Sequence, residues 1–140
     1  MTRTKIRENI SILLFQLNFH GEEDIEEQVD LYLEDLKGRD ATKKAKDEVK
    51  SRFMEVVAKL PEIDTIIKDK AAGWSFERLA KADLSILRLA IFEIIFDENV
   101  PNGVAINEAV ELAKKYGSDN SYRFINGILS SVNKEQRSGD

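Results

Sequence analysis

Residues 104 to 129 read VAINEAVELAKKYGSDNSYRFINGIL. Two apolar patterns of helical period lie on either side of a single glycine. In the first, Ala105, Ala109, Leu112, Ala113 and Tyr116 share one face, and the small alanines permit close helix approach. Gly117 is the expected C-terminal cap, and Ser118 or Asp119 is placed to cap the next helix. There Phe124, Ile125, Ile128 and Leu129 fall at helical spacing, yet Asn126 and Gly127, normally a turn pair, stand among them. A glycine inside a helix costs about 1 kcal/mol relative to alanine. The expectation is that Gly127 repays this by letting a neighbouring backbone come close, with Asn126 hydrogen-bonding across the contact. The helix should fray after Lys134.

The same period runs outward from this segment. Ile6, Ile10, Leu13, Leu14 and Leu17 form one stripe, ended by His20-Gly21. A second helix spans about Glu22 to Leu36, with Ile25, Val29, Leu33 and Leu36 inward. Its other face carries eight Asp or Glu and no Lys or Arg between Glu22 and Asp35. A third runs from near Asp40 to Leu60, and Pro61 is suited to open a fourth. Gly73 and Trp74 mark a break, after which Trp74, Phe76 and Leu79 suggest a short turn plugging a core. Asp83 is a good N-cap for Leu84 to Asp97. No segment reads as a strand, so the fold class is all-α. One domain, 1–140, is expected, with helical halves 1–72 and 73–136 joined near Ala71 to Trp74.

The composition narrows the chemistry. The 140 residues suffice for one core. No cysteine is present, which excludes disulfides, thiolate metal sites and a cysteine nucleophile, and suits the cytoplasm. The single histidine, His20, excludes a histidine metal cluster. The longest apolar region, Leu84 to Phe96, is broken by Ser85, Arg88 and Glu93, and falls short of the roughly 20 residues a membrane span needs. The basic start, MTRTKIREN, lacks the apolar block of a signal peptide. Net charge is −5, so nucleic-acid binding would need a local basic patch.

One such patch is legible. Arg3, Arg7, Ser11 and Phe15 follow at i+4 steps along the flank and back of the first helix, with Lys5 on another side. Phosphates pair with arginine and bases stack on phenylalanine, so this is a pattern single-stranded RNA uses. The competing reading packs Phe15 against another helix. The acidic second helix is a solvated face that would also confine RNA to the basic side. The run Lys37, Arg39, Lys43, Lys44, Lys46, Lys50, Arg52 reads as a solvated mixed-charge face. Asp83, Glu93 and Glu108 lie on apolar helices without partners at a telling spacing, so capping or ion pairing accounts for them better than acid–base catalysis. No phosphate-cradling loop, metal-ligand cluster or nucleophile elbow is present, so no metal and no cofactor are expected.

The second half of the chain resembles a known family. WSFERLAKADLSILRLAIFEI, followed by VPNGVAINEAVELAKKYGSDNSYRFINGIL, is similar to the NusB family of transcription antitermination factors, over about residues 74 to 129. That family carries a D-x-x-I-L-R-x-A-x-x-E helix, then P-x-x-V-x-I-x-E-A-x-E-x-A-K-x-Y-G and S-x-K-F-V-N-G-x-L. The basic opening with Phe15 resembles the family's start, whereas residues 22 to 70 match only in length and helical character.

The resemblance implies about seven helices in two small bundles and no catalysis. It also implies binding to the boxA element of ribosomal RNA leaders together with the ribosomal protein NusE, within the RNA polymerase antitermination complex. Carried over, the RNA side comprises Arg3, Lys5, Arg7, Phe15, Arg123 and Phe124. The NusE side comprises Asp83, with Arg88 and Glu93 as nearby candidates. Thr4 interrupts the basic opening, which implies fewer phosphate contacts and weaker salt dependence. Arg123 replaces the usual lysine and keeps the charge while adding a planar face. The alternative is a helical protein-interaction adaptor with incidental RNA binding. A third possibility, the RNA-binding module of an rRNA methyltransferase, is disfavoured because no catalytic domain or glycine-rich cofactor loop occurs up to Asp140.

Overall fold

The computed structural model describes residues 1–71 and 73–138, with Arg137 and Ser138 described for their backbone alone. Among these residues the chain forms seven α-helices, one short 3-10 turn and no strand. The helices group into two compact units, Met1–Ala58 and Lys59–Asp140.

The first unit holds α1 (Arg3–His20), α2 (Ile25–Asp35) and α3 (Lys43–Ala58). The Thr2 side chain caps α1 by accepting from the Lys5 N–H at 3.0 Å. Gly21 ends it at φ +71, a left-handed conformation that disfavours any side chain. Asp24 also sits at positive φ, +55, so α2 begins at Ile25 and not at Glu22. Thr42 accepts from the Ala45 N–H at 3.1 Å, which sets the start of α3 later than Asp40. The expected stripe of α1 is buried, and it packs with Val29, Leu33, Val49, Phe53 and Val56. Burying each such side chain contributes about 1.5–3 kcal/mol. The Tyr32 hydroxyl donates to Asn9 Oδ1 at 2.5 Å and ties α2 to α1.

The second unit holds α4 (Leu60–Lys70), the 3-10 turn (Phe76–Arg78), α5 (Lys81–Phe96), α6 (Asn102–Tyr116) and α7 (Ser121–Ser138). Pro61 stands in the first turn of α4, where its missing N–H costs nothing. The centre is α5, apolar nearly all round; α4, α6 and α7 pack on it. Arg88 on α5 donates twice to Asp64 on α4, both bonds at 2.9 Å. Asn102 donates to Asn133 at 2.7 Å, joining α6 to α7.

Four local expectations are corrected here. Trp74 plugs no core: it is 62% exposed, and only Leu79 of its segment is buried. Tyr116 is exposed at the end of its otherwise buried alanine face. Asp83 is not a cap, because α5 starts two residues earlier and Asp83 lies within its first turn. Gly127 is exposed, and a Cβ built on it would meet nothing within 4 Å. The close approach lies at Gly117, where a Cβ would stand 2.5 Å from both Cβ and Oγ of Ser121 and 2.8 Å from the Ala113 carbonyl oxygen. The junction between α6 and α7 thus needs the missing side chain, and the interior of α7 does not.

Candidate nucleic-acid interface

In the first unit, α1 displays Arg3, Lys5, Phe15 and Phe19 to solvent, with Arg7 half-buried. Phe15 is 38% exposed and Phe19 64%. Their rings meet edge to face, centroids 5.1 Å apart at 68°. Neither phenylalanine belongs to the buried stripe, so Phe15 is not consumed by packing. Phe19 escaped attention in the sequence, although one more i+4 step beyond Phe15 reaches it. Ser11, by contrast, is buried, so the i+4 series is not one continuous exposed ridge.

None of these cations stands free. Arg3 forms an ion pair with Glu48 of α3. Lys5 Nζ lies 3.2 Å from Glu8 Oε1. The hydrogen bond from Arg3 holds the Glu48 carboxyl below its usual range, and the charges of Lys44 and Arg52 add to this. The same bond pushes the Arg3 guanidinium further up.

In the second unit, the start of α7 gathers a second group of rings and cations. The Phe124 ring lies 5.5 Å from the exposed Trp74 ring, tilted by 60°. Arg123 Nε donates to the Tyr122 hydroxyl at 2.9 Å, and its guanidinium stands 5.5 Å from that ring's centroid. Lys114 Nζ approaches the same ring at 5.6 Å. Such contacts are worth about 0.5–1 kcal/mol at exposed sites, enough to orient a flexible guanidinium. Trp74, Tyr122 and Lys114 were not read as site residues. Tyr122 adjoins Arg123 in sequence, whereas only the fold brings Trp74 to Phe124.

The three α5 residues are all buried. Arg88 is held by Asp64, and Glu93 is 5% exposed. Asp83 is 8% exposed, and its Oδ1 has no hydrogen-bond partner among the described residues. Burial pushes its carboxyl up from the ordinary range, while a hydrogen bond with Ser121 pulls the other way. Ser121 is the first residue of α7 and the same side chain that crowds Gly117. The ends of α5, α6 and α7 therefore meet at one small polar cluster.

The NusB family model matches residues 4–134.

The chain belongs to the NusB family.

Transcription antitermination protein NusB of Lachnoclostridium phytofermentans is 48% identical over 132 residues, covering 94% of this chain and 98% of that relative. The NusB of Enterococcus faecalis is 39% identical over 141 residues, covering 96% and 91%. Among solved structures, T. maritima NusB aligns with a TM-score of 0.84 at 36% identity, covering 96% of this chain and 92% of that one. A chain from a crystal structure of antitermination factors NusB and NusE in complex with double-stranded RNA aligns with a TM-score of 0.80 at 28% identity, covering 96% and 99%. The match takes in residues 22 to 70, where the sequence offered only length and helicity. The all-α fold with seven helices, expected from the resemblance, is the one found. No helix among the described residues is long and apolar enough to cross a membrane.

Proposed function

We propose that this NusB-family chain is a cytoplasmic, non-enzymatic transcription antitermination factor that binds boxA-type RNA together with NusE. The observation that carries this reading is the likeness to the NusB chain of the NusB–NusE–RNA complex. The local chemistry agrees. A protein of net charge −5 carries cations and exposed rings on α1, and sets Arg123 and Lys114 against the half-buried Tyr122 ring at the start of α7. Arg3, Lys5, Arg7 and Arg123 contact phosphates in this reading, and Phe15 and Phe124 stack on bases. Asp83, Arg88 and Glu93 are buried, so in this reading they shape the α5 face that meets NusE and do not touch it directly.

The test is a sizing column loaded with the protein, NusE and a short boxA RNA, followed by binding titrations of Arg7→Ala and Phe15→Ala. A three-component peak is expected, with RNA affinity reduced in both variants. Loss of one stacked base is worth about 1–3 kcal/mol. Co-elution of NusE without RNA, or variants that bind RNA like the wild type, would count against this assignment.

A further inference from the structure

Trp74 is the only tryptophan of the chain and lies mostly in solvent, although a side chain of this kind is on average well buried. It stands between α4 and the 3-10 turn, where hydrogen bonds fix the backbone on both sides. Its own N–H donates to the Ala71 carbonyl at 3.0 Å, and the Arg78 N–H donates to the Ser75 carbonyl at 3.0 Å. The ring is held as well, by its tilted contact with Phe124 of α7, centroids 5.5 Å apart at 60°. Rings this close leave no room for a base between them, because an inserted ring needs about 3.5 Å on each of its faces. The pair therefore offers two separate surfaces, the exposed indole and the half-buried phenyl ring, turned 60° from each other. Next to Phe124, Arg123 is held by two neutral groups, the Tyr122 hydroxyl and the Tyr122 ring. That bond orients the guanidinium and leaves its positive charge intact.

We propose that Trp74 is a second base-stacking platform beside Phe124, so that the start of α7 receives two successive nucleotides of bound RNA, their bases splayed apart and Arg123 on the phosphate between them. This rests on the RNA-binding reading above, which places Phe124 and Arg123 on the RNA. The indole is continuous with those two residues through its ring contact. An aromatic plane beside a cation suits a nucleotide, which joins a flat base to an anion, whereas an apolar protein segment gains nothing from the cation. Bases laid on surfaces 60° apart do not stack on each other, so the strand is unstacked at this step, as single-stranded RNA is when its bases are read one by one.

The full chain is mixed with NusE, and a short labelled boxA RNA is then titrated at several salt concentrations. Anisotropy of the label gives affinity. Tryptophan emission, with Trp74→Phe in parallel as the blank, reports on this one side chain. RNA should quench that emission, because a stacked base touches the indole. Trp74→Ala should bind about 5- to 150-fold more weakly, the range for one lost stacked base, with an unchanged salt slope because no phosphate contact is lost. Trp74→Phe keeps a ring and should bind close to the wild type. Arg123→Ala should instead make the slope of log affinity against log salt shallower by about 0.7. Circular dichroism melts confirm that each variant is folded. If Trp74→Ala binds like the wild type, if Trp74→Phe is as weak as Trp74→Ala, or if RNA leaves the emission unchanged, the platform is refuted, while weakened binding by Phe15→Ala keeps the RNA reading standing. An emission change on adding NusE, with none on adding RNA, assigns Trp74 to a protein contact and also refutes the platform. If the wild type binds no RNA, or Phe15→Ala binds as well as the wild type, the reading and the platform fall together.

Discussion

Replacing Gly127 with alanine should stabilise this protein. Gly127 lies inside α7, is exposed, and has room for a Cβ in every direction within 4 Å. No strain offsets the usual helix preference, so alanine gains about 1 kcal/mol at such a position, partly by restricting the unfolded chain. For a chain of this size that raises the melting temperature by roughly 3–5 °C. Gly117→Ala supplies the opposite case. Its Cβ would come within 2.5 Å of Ser121 and 2.8 Å of a backbone carbonyl, so α6 or α7 must shift. Overpacking of this kind costs about 1–3 kcal/mol. Urea unfolding followed by far-UV circular dichroism measures both variants in one experiment. A loss of stability in Gly127→Ala, or none in Gly117→Ala, would show that the close approach has been assigned to the wrong glycine.

Other outcomes follow from the same geometry. Arg88→Ala strands Asp64 in a mostly buried site and should cost about 3–5 kcal/mol in urea unfolding, whereas Arg88→Met should cost less because it removes the cation but keeps the packing. The Asp83 carboxyl is raised in the folded state, so the native protein holds its proton more tightly than the unfolded chain. Its contribution to stability therefore declines as pH rises through the ordinary value of 3.8, and the decline is complete above the folded value. Asp83→Asn should remove that decline from a pH series of thermal melts; an unchanged profile would mean that Asp83 is not its source. Trp74→Ala should leave the melting temperature within a few degrees, since the ring is mostly exposed, yet weaken RNA binding by an amount typical of one lost stacked base, about 1–3 kcal/mol.

Period and punctuation were enough to read the helices. The stripe of Ile6, Ile10, Leu13, Leu14 and Leu17 is buried as its spacing requires, because a 3.6-residue repeat has only one way to hide five apolar side chains. Pro61 and Gly117 punctuate α4 and α6 because each acts on the backbone of its own turn. Local signals competed less reliably at starts. Asp83 has the right chemistry for a cap, yet α5 starts at Lys81 and takes Asp83 into its first turn.

Amino-acid order by itself determined the all-α class, the approximate extent of each helix and the cations and rings on α1, since these follow from side-chain spacing along one helix. Tertiary structure alone decided that α4 packs with α5 and α7, that Trp74 lies against Phe124, and that Arg3 meets Glu48 across two helices. It also decided which glycine was indispensable. A glycine's need depends on what stands beside its missing Cβ, and that neighbour is set by how helices meet and not by the residues on either side in the chain.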